Sequence, residues 1–144
     1  MKTQILKPGD EVLLIEATRL LNNETVTLAR AAAILSEPTY FMVVALSERG
    51  TVMGRIYGNI LHRHDSVDLL LYEVDVLAGH QRKGVGKAMI ELARAFCKSR
   101  GYGEMWVLTE LDNEAGNALY NSAGGKLEDS PTNMYVFPIA ERKP

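Results

Sequence analysis

The order of local signals along the chain predicts an α/β fold with a mixed, mostly antiparallel sheet flanked by helices. Periodicity gives the string strand, two helices, three strands, helix, strand, helix, two strands, so that strands and helices alternate in the later part. One hydrophobic strand, Val67 to Leu77, runs into a short polar stretch with glycines, beyond which an amphipathic segment starts at Gly84. The 144 residues, 47% of them hydrophobic, supply one core, so residues 1–144 are read as a single domain.

Gln4 to Leu6 reads as the first strand, closed by Pro8-Gly9, after which Asp10 is placed to cap a helix over Glu11 to Leu21. Asn22-Asn23 turns the chain. The Ala- and Leu-rich run Thr27 to Leu35 forms a second helix that Ser36-Glu37-Pro38 stops. Phe41 to Leu46 and Val52 to Leu61 are strands joined by the hairpin-sized loop Ser47-Glu48-Arg49-Gly50. Gly54 and Gly58 weaken the second of these and mark a bulge, a bend or room for a ligand. His62-Arg63-His64-Asp65 is read as a solvated loop. No further Cys or His cluster completes a ligand set there, so no metal is expected. After the Val67 strand, Met89, Leu92, Ala93 and Phe96 recur at the spacing of one buried helical face, and Gly101-Tyr102-Gly103 ends that helix. Glu104 to Thr109 is the next strand. The block from Asn113 makes a short helix ending near Gly124-Gly125. Lys126 to Leu127 and Met134 to Ile139 read as a final antiparallel pair turned by Ser130-Pro131-Thr132-Asn133.

Composition narrows the function classes. The net charge is −2 and no Lys/Arg block is present, so a nucleic-acid partner is not expected. Met1-Lys2-Thr3-Gln4 lacks the apolar core of a signal peptide and no apolar run approaches membrane-spanning length, so a soluble cytoplasmic protein without a membrane partner is the expectation. The single cysteine, Cys97, cannot form an internal disulfide and is read as a packing residue of its helix.

The junction of strand and helix carries the chemistry. First-turn amides of a helix lack intrahelical partners and sit at the positive end of its dipole, which favours an anion. Gly84 and Gly86 let backbone approach a ligand closely, and Arg82, Lys83 and Lys87 add positive charge, so a phosphate or pyrophosphate is the expected ligand. The Gly-Lys-Ser/Thr ending of a P-loop and the third glycine of the dinucleotide fingerprint are both absent.

Gln81-Arg82-Lys83-Gly84-Val85-Gly86 resembles the Gln/Arg-x-x-Gly-x-Gly/Ala signature of the GCN5-related N-acetyltransferases. Asn113-Glu114-Ala115-Gly116-Asn117-Ala118-Leu119-Tyr120, in the right order downstream, resembles their Asn-x-x-Ala-x-x-Leu-Tyr helix. The resemblance implies the fold of that superfamily and acetyl-CoA as cosubstrate. It also implies that Gln81, Arg82, Lys83, Gly84, Val85, Gly86 and Lys87 hold the pyrophosphate. Val74, Asp75 and Val76 would meet the pantetheine arm near the thioester, and Asn113 would contact the cofactor. Tyr120 matches the tyrosine taken as general acid for the departing thiolate, with packing at a helix–strand contact as the alternative.

Strict alternation along the central strand puts Glu73 and Asp75 on the face of Val67, Leu69 and Leu71. Carboxylates on an apolar face are costly when dry, so they are expected to border a cleft. Two like charges close together raise one pKa, which suits a base; pairing with a nearby cation is the alternative.

A narrower resemblance concerns the Tyr-Glu-x-Asp-Val strand, the run Trp106 to Asn113 and the Ala-Leu-Tyr-Asn-Ser-Ala-Gly-Gly run. These are similar to the class I aminoglycoside 3-N-acetyltransferases, in which an acidic residue at the position of Glu73 is taken as the base. The partner so implied is a small polycationic amine, bound by Glu73, Asp75, Glu110 and Asp112; a polyamine, a small metabolite or a peptide N-terminus are the other acceptors. Gly116 and Gly125 depart from the pattern at an Ala and a Phe position. Members are often dimers, which leaves a homodimer open, and no stretch here marks an interface.

Overall fold

The computed structural model describes residues 1–128 and 132–140. The elements are β1 (Lys2–Ile5), α1 (Glu11–Asn22), α2 (Leu28–Leu35), β2 (Tyr40–Leu46), β3 (Val52–His62), β4 (Val67–Val76), α3 (Val85–Arg100), β5 (Met105–Val107) and α4 (Glu114–Ser122), with a 3₁₀ turn over Ala78–His80. The strands form one sheet in sequence order, antiparallel from β1 to β4 and parallel between β4 and β5. This is the mixed, mostly antiparallel α/β architecture expected.

Each face of the sheet buries its own core. On one side Met42, Val44, Leu46 and Val52 pack against Leu14 and Ala17 of α1 and Ala31 and Leu35 of α2. On the other, Val43, Ile56, Leu69 and Leu71 pack against Val85, Met89, Ile90, Ala93 and Cys97 of α3. Cys97 is therefore the packing residue anticipated. The buried stripe of α3 is shifted from the expected one: Ile90 and Cys97 are buried, while Leu92 and Phe96 pack only partly against the core. Gly101 closes α3 in the left-handed conformation, its amide bonding back to Cys97 and Lys98.

A bulge in β4 decides which side chains face which core. Tyr57 pairs with Glu73, but its neighbour Gly58 pairs with Leu71, so Tyr72 has no partner across the ladder. The extra residue breaks the period of two. Leu69, Leu71, Val74 and Val76 all belong to the α3 side, whereas Glu73 and Asp75 turn to the α1–α2 side with Arg55. The strict alternation read from sequence is thus corrected: the carboxylates do not share a face with Leu69 and Leu71.

Two further expectations are corrected. Asp10 precedes α1 without a side-chain cap, because its carboxylate accepts from the Lys7 amide at 3.0 Å; it is Thr27, before α2, whose side chain caps, accepting from the Arg30 amide at 3.1 Å. The final antiparallel pair is absent from residues 126–128 and 132–140, which carry no strand. Lys126-Leu127 offers only two residues to a ladder, and Pro138 removes a backbone donor within the second run. Met134, Tyr135, Phe137 and Ile139 are all exposed. The Ser130-Pro131 part of the expected turn lies outside the described residues.

Candidate active site

Parallel pairing between β4 and β5 covers only Leu69–Met105, Leu70–Trp106 and Leu71–Val107, yet β4 continues to Val76. The edge of β4 from Tyr72 to Val76 therefore faces a gap where the two strands part. Backbone groups along such an edge keep hydrogen-bonding capacity for an extended, amide-bearing chain. Val74, Asp75 and Val76 lie on this edge.

The edge leads into the turn before α3. Gln81 reaches back to the Val76 carbonyl at 3.1 Å and Lys83 to the Gly79 carbonyl at 3.1 Å, fixing the curve of the loop. Arg82 (φ 61°) and Gly84 (φ 81°) both adopt the left-handed conformation, which turns the chain into α3. No side chain caps α3, and the first helical bond runs from the Ala88 amide to the Gly84 carbonyl. The amides of Gly84, Val85, Gly86 and Lys87 thus point out of the helix start, with Arg82 and Lys87 exposed beside them.

Gly86 has a different reason from the one the sequence suggested. It is buried, and a Cβ there would lie 2.8 Å from Leu119 Cδ2, so its bareness serves the close packing of α4 on α3. That packing helps seat Tyr120, which leans on the α3-side core. Burial and then the charge of Asp75 push the Tyr120 phenol up, so it keeps its proton through neutral pH. Asn113 is the N-cap of α4: its Oδ1 accepts from the Gly116 amide at 3.0 Å and its Nδ2 donates to Thr109 at 2.8 Å. Gly116 belongs to that cap, since a Cβ there would meet Asn113 Nδ2 at 2.5 Å.

On the α1–α2 side a cavity of about 570 Å³ lies between the helices and the sheet. Glu24, Glu37 and Glu73 line it with Tyr40, Tyr57 and the cations Arg30 and Arg55. Arg55 is buried, its side chain 3% exposed, and its Nη2 donates to Glu73 at 2.6 Å and to Asp75 at 2.7 Å. The guanidinium also lies 4.9 Å from the centroid of the Tyr57 ring. Burial raises the Asp75 carboxyl, and the nearby Glu73 charge adds to it; the hydrogen bond and charge of Arg55 act the other way. Glu73 borders the cavity and Asp75 is not among its lining residues, while the alternative, pairing with a cation, is found for both.

Glu110 and Asp112 sit on the exposed turn after β5 and do not line this cavity. Its other acids, Glu24 and Glu37, and the residues Asn22, Tyr40, Arg55 and Tyr57 were not singled out from sequence. The one available signal was Arg55, a lone charge inside the run Val-Met-Gly-Arg-Ile-Tyr. Among the described residues no three His, Cys, Asp or Glu side chains converge as a metal site needs, and no helix is long and apolar enough to cross a membrane.

An open strand edge thus leads to the uncapped start of α3, and a cavity lined by three glutamates lies against the same strand. The chain belongs to the acetyltransferase (GNAT) family, whose model matches residues 11–124. A stretch of 56 residues is 36% identical to N-acetyltransferase family 8 member 3 of Rattus norvegicus, taking in 39% of this chain and 25% of that protein. The chain therefore matches about a quarter of the length of that relative. Among solved structures it is similar to an aminoglycoside acetyltransferase from an uncultured soil metagenomic sample in complex with sisomicin, with a TM-score of 0.86, 20% identity and 95% of each chain covered. It is also similar to AAC(6′)-Iy in complex with the bisubstrate analogue CoA-S-monomethyl-acetylneamine, with a TM-score of 0.79, 18% identity, and 96% of this chain and 100% of that one covered. At such identities the likeness is one of fold.

Proposed function

We propose that this protein transfers acetyl from acetyl-CoA to an amine of an aminoglycoside, the 3-amino group being the first candidate, by direct attack on the thioester. The observation that carries the reading is the acid-lined cavity ending on Glu73, a residue of the same strand whose free edge leads to the α3 amides. Acetyl-CoA fits the second half of the cleft: the β4 edge suits the pantetheine amides, and the amides of 84–87 with Arg82 and Lys87 suit its pyrophosphate.

In the proposed reaction Glu73 accepts a proton from the acceptor ammonium, and the freed amine attacks the thioester carbon. The C–S bond breaks as the C–N bond is completed, Tyr120 gives its proton to the leaving thiolate, and the second proton, shed by the nitrogen as the amide forms, restores the Tyr120 phenol. The acidic lining supports a cationic acceptor, since Glu24, Glu37 and Glu73 outnumber Arg30 and Arg55 there. A linear polyamine suits the same lining and is the second reading. Antibiotic resistance and a cytoplasmic location go with the first.

The deciding experiment follows thiol release from acetyl-CoA with gentamicin or sisomicin offered beside spermidine and a peptide amine. Saturable turnover with the aminoglycosides alone is the expected result, and mapping the acetylated nitrogen then separates the 3-amino from the 6′-amino group. Turnover with spermidine or the peptide alone would replace the aminoglycoside by that acceptor.

A further inference from the structure

We propose that Asn22 and Arg55 are a positioning pair that presents one oxygen of Glu73, Oε1, to the acceptor amine and ties the end of α1 to it. This rests on the acetyl-transfer reading above. Three hydrogen bonds close a ring: Arg55 Nη1 donates to Asn22 Oδ1, Asn22 Nδ2 donates to Glu73 Oε2 at 3.2 Å, and Arg55 Nη2 donates to the same Oε2 at 2.6 Å. Oε2 is thereby committed to two donors. Oε1 takes no hydrogen bond of ordinary geometry from the described residues, the Tyr57 side chain being the further polar group that approaches this carboxylate, and Glu73 lines the cavity.

The arrangement is more specific than charge neutralisation requires. A buried guanidinium needs compensating charge, and Glu73 and Asp75 supply it. Asn22 adds no charge. What it adds is direction, because its amide bonds Arg55 and Glu73 at once and fixes the plane of the carboxylate. Asn22 is also the last residue of α1, followed by Asn23 in the left-handed conformation (φ 54°), so the chain leaves the helix at the point where it touches the ring. The α1 wall of the cavity and the base are thus held by one set of bonds. Arg55 Nε is buried and has no partner among the described residues, so none of them offers the guanidinium a competing bond on that side.

The charged and titratable groups around the ring come from every neighbouring element: Glu24 and Arg30 from the α1–α2 loop and α2, Glu37 and Tyr40 from the approach to β2 and its start, Tyr57 from β3, and Tyr72 and Asp75 from β4. Tyr57 is close enough to Glu73 that the carboxylate charge, after burial, raises its phenol. None of these can substitute for the two-branched donor that Arg55 presents.

The test compares Asn22→Ala, Arg55→Lys and Arg55→Met with the wild-type protein. Three readouts are taken: kcat and KM for each substrate against pH, binding of CoA, and binding of sisomicin to the CoA complex by calorimetry. Asn22→Ala is expected to lower kcat/KM for the acceptor about 10-fold or more, with KM for acetyl-CoA unchanged. Arg55→Lys keeps the charge without the fork and should lose at least as much. Arg55→Met removes the charge as well as the fork, so its loss in kcat/KM for the acceptor should exceed that of Asn22→Ala. Folded Asn22→Ala and Arg55→Lys proteins within about 2-fold of wild type would overturn the proposal, as would losses that fall equally on CoA binding. If wild type binds sisomicin without acetylating any amine, the acetyl-transfer reading fails while weakened binding by Asn22→Ala still supports the pair. If wild type binds no sisomicin and acetylates no amine, both fail.

Discussion

The carbonyl oxygen of Leu70 lies 2.0 Å from where a Cβ would stand on Gly58. Gly58 is the β3 residue opposite the bulge, so the approach of the two backbones there is what accommodates Tyr72 as an extra residue. Backbone cannot yield as a side-chain tip can. Gly58→Ala should cost more than about 3 kcal/mol, a fall in Tm of about 10 °C or more. If the strand escapes by losing its bulge, Glu73 and Asp75 rotate toward the α3 core and turnover goes with them. Thermal melting together with thiol release checks this, and a variant that melts and turns over like wild type would show that the bulge does not need the glycine.

Much of this fold is legible in residue order, because each strand and helix from β1 to α4 carries its own periodicity and punctuation. The bulge is not legible. Leu69, Leu71, Glu73 and Asp75 sit at a perfect period of two, and only the close approach of Gly58 to Leu70, 12 positions apart in sequence, shows that the period breaks at Tyr72. The turn before α3 could be read locally, since left-handed glycine, cations and helix start are contiguous. The cavity between the helices and the sheet could not: Asn22, Arg55 and Glu73 meet only through tertiary contact. Gly86 shows the same limit within a motif, its reason lying in Leu119 of another helix.

Tyr120→Phe separates catalysis from packing. The ring remains against the α3-side core while the proton donor is lost, so stability should change by less than about 1 kcal/mol and kcat should fall by about 10² or more. In wild type, burial and Asp75 hold the phenol above its ordinary value of about 10. The sign follows: an acid with a raised pKa stays protonated to higher pH, so the alkaline limb of kcat should lie above pH 10. An alkaline limb unchanged in Tyr120→Phe would assign the proton to another group.

The turn before α3 should act on cofactor affinity rather than on chemistry. Arg82→Ala and Lys87→Ala each remove an exposed cation beside the first-turn amides, which should raise KM for acetyl-CoA several-fold, less so at high salt, with kcat retained. Gly84→Ala tests the backbone instead. Nothing lies within 4 Å of the Cβ it would add, so its cost is the left-handed φ of 81°, about 1–2 kcal/mol. Steady-state kinetics at two ionic strengths distinguishes the two effects; equal KM values in all three variants would move the pyrophosphate elsewhere.

Tyr40, on the wall of the cavity on the α1–α2 side, gives a prediction about stability and pH. Burial pushes its phenol up to about 12, with Arg55 opposing and Glu73 reinforcing. Below about pH 10 folded and unfolded chains both keep the proton, and Tyr40 contributes no slope. Between about pH 10 and 12 the unfolded chain releases it while the folded chain holds it, so the stability that Tyr40 contributes is lost as pH rises through that window. Tyr57 and Tyr120 are raised as well and act with the same sign. Tyr40→Phe should therefore make the alkaline loss of stability shallower without abolishing it. Its neutral-pH stability should barely change, since the hydroxyl's bond is a weak one to Met42 Sδ at 3.6 Å. Urea midpoints measured at intervals from pH 9 to 12 for both proteins give the two slopes, and identical slopes would mean that the cavity wall is wetter at Tyr40 than its packing against Tyr57 indicates.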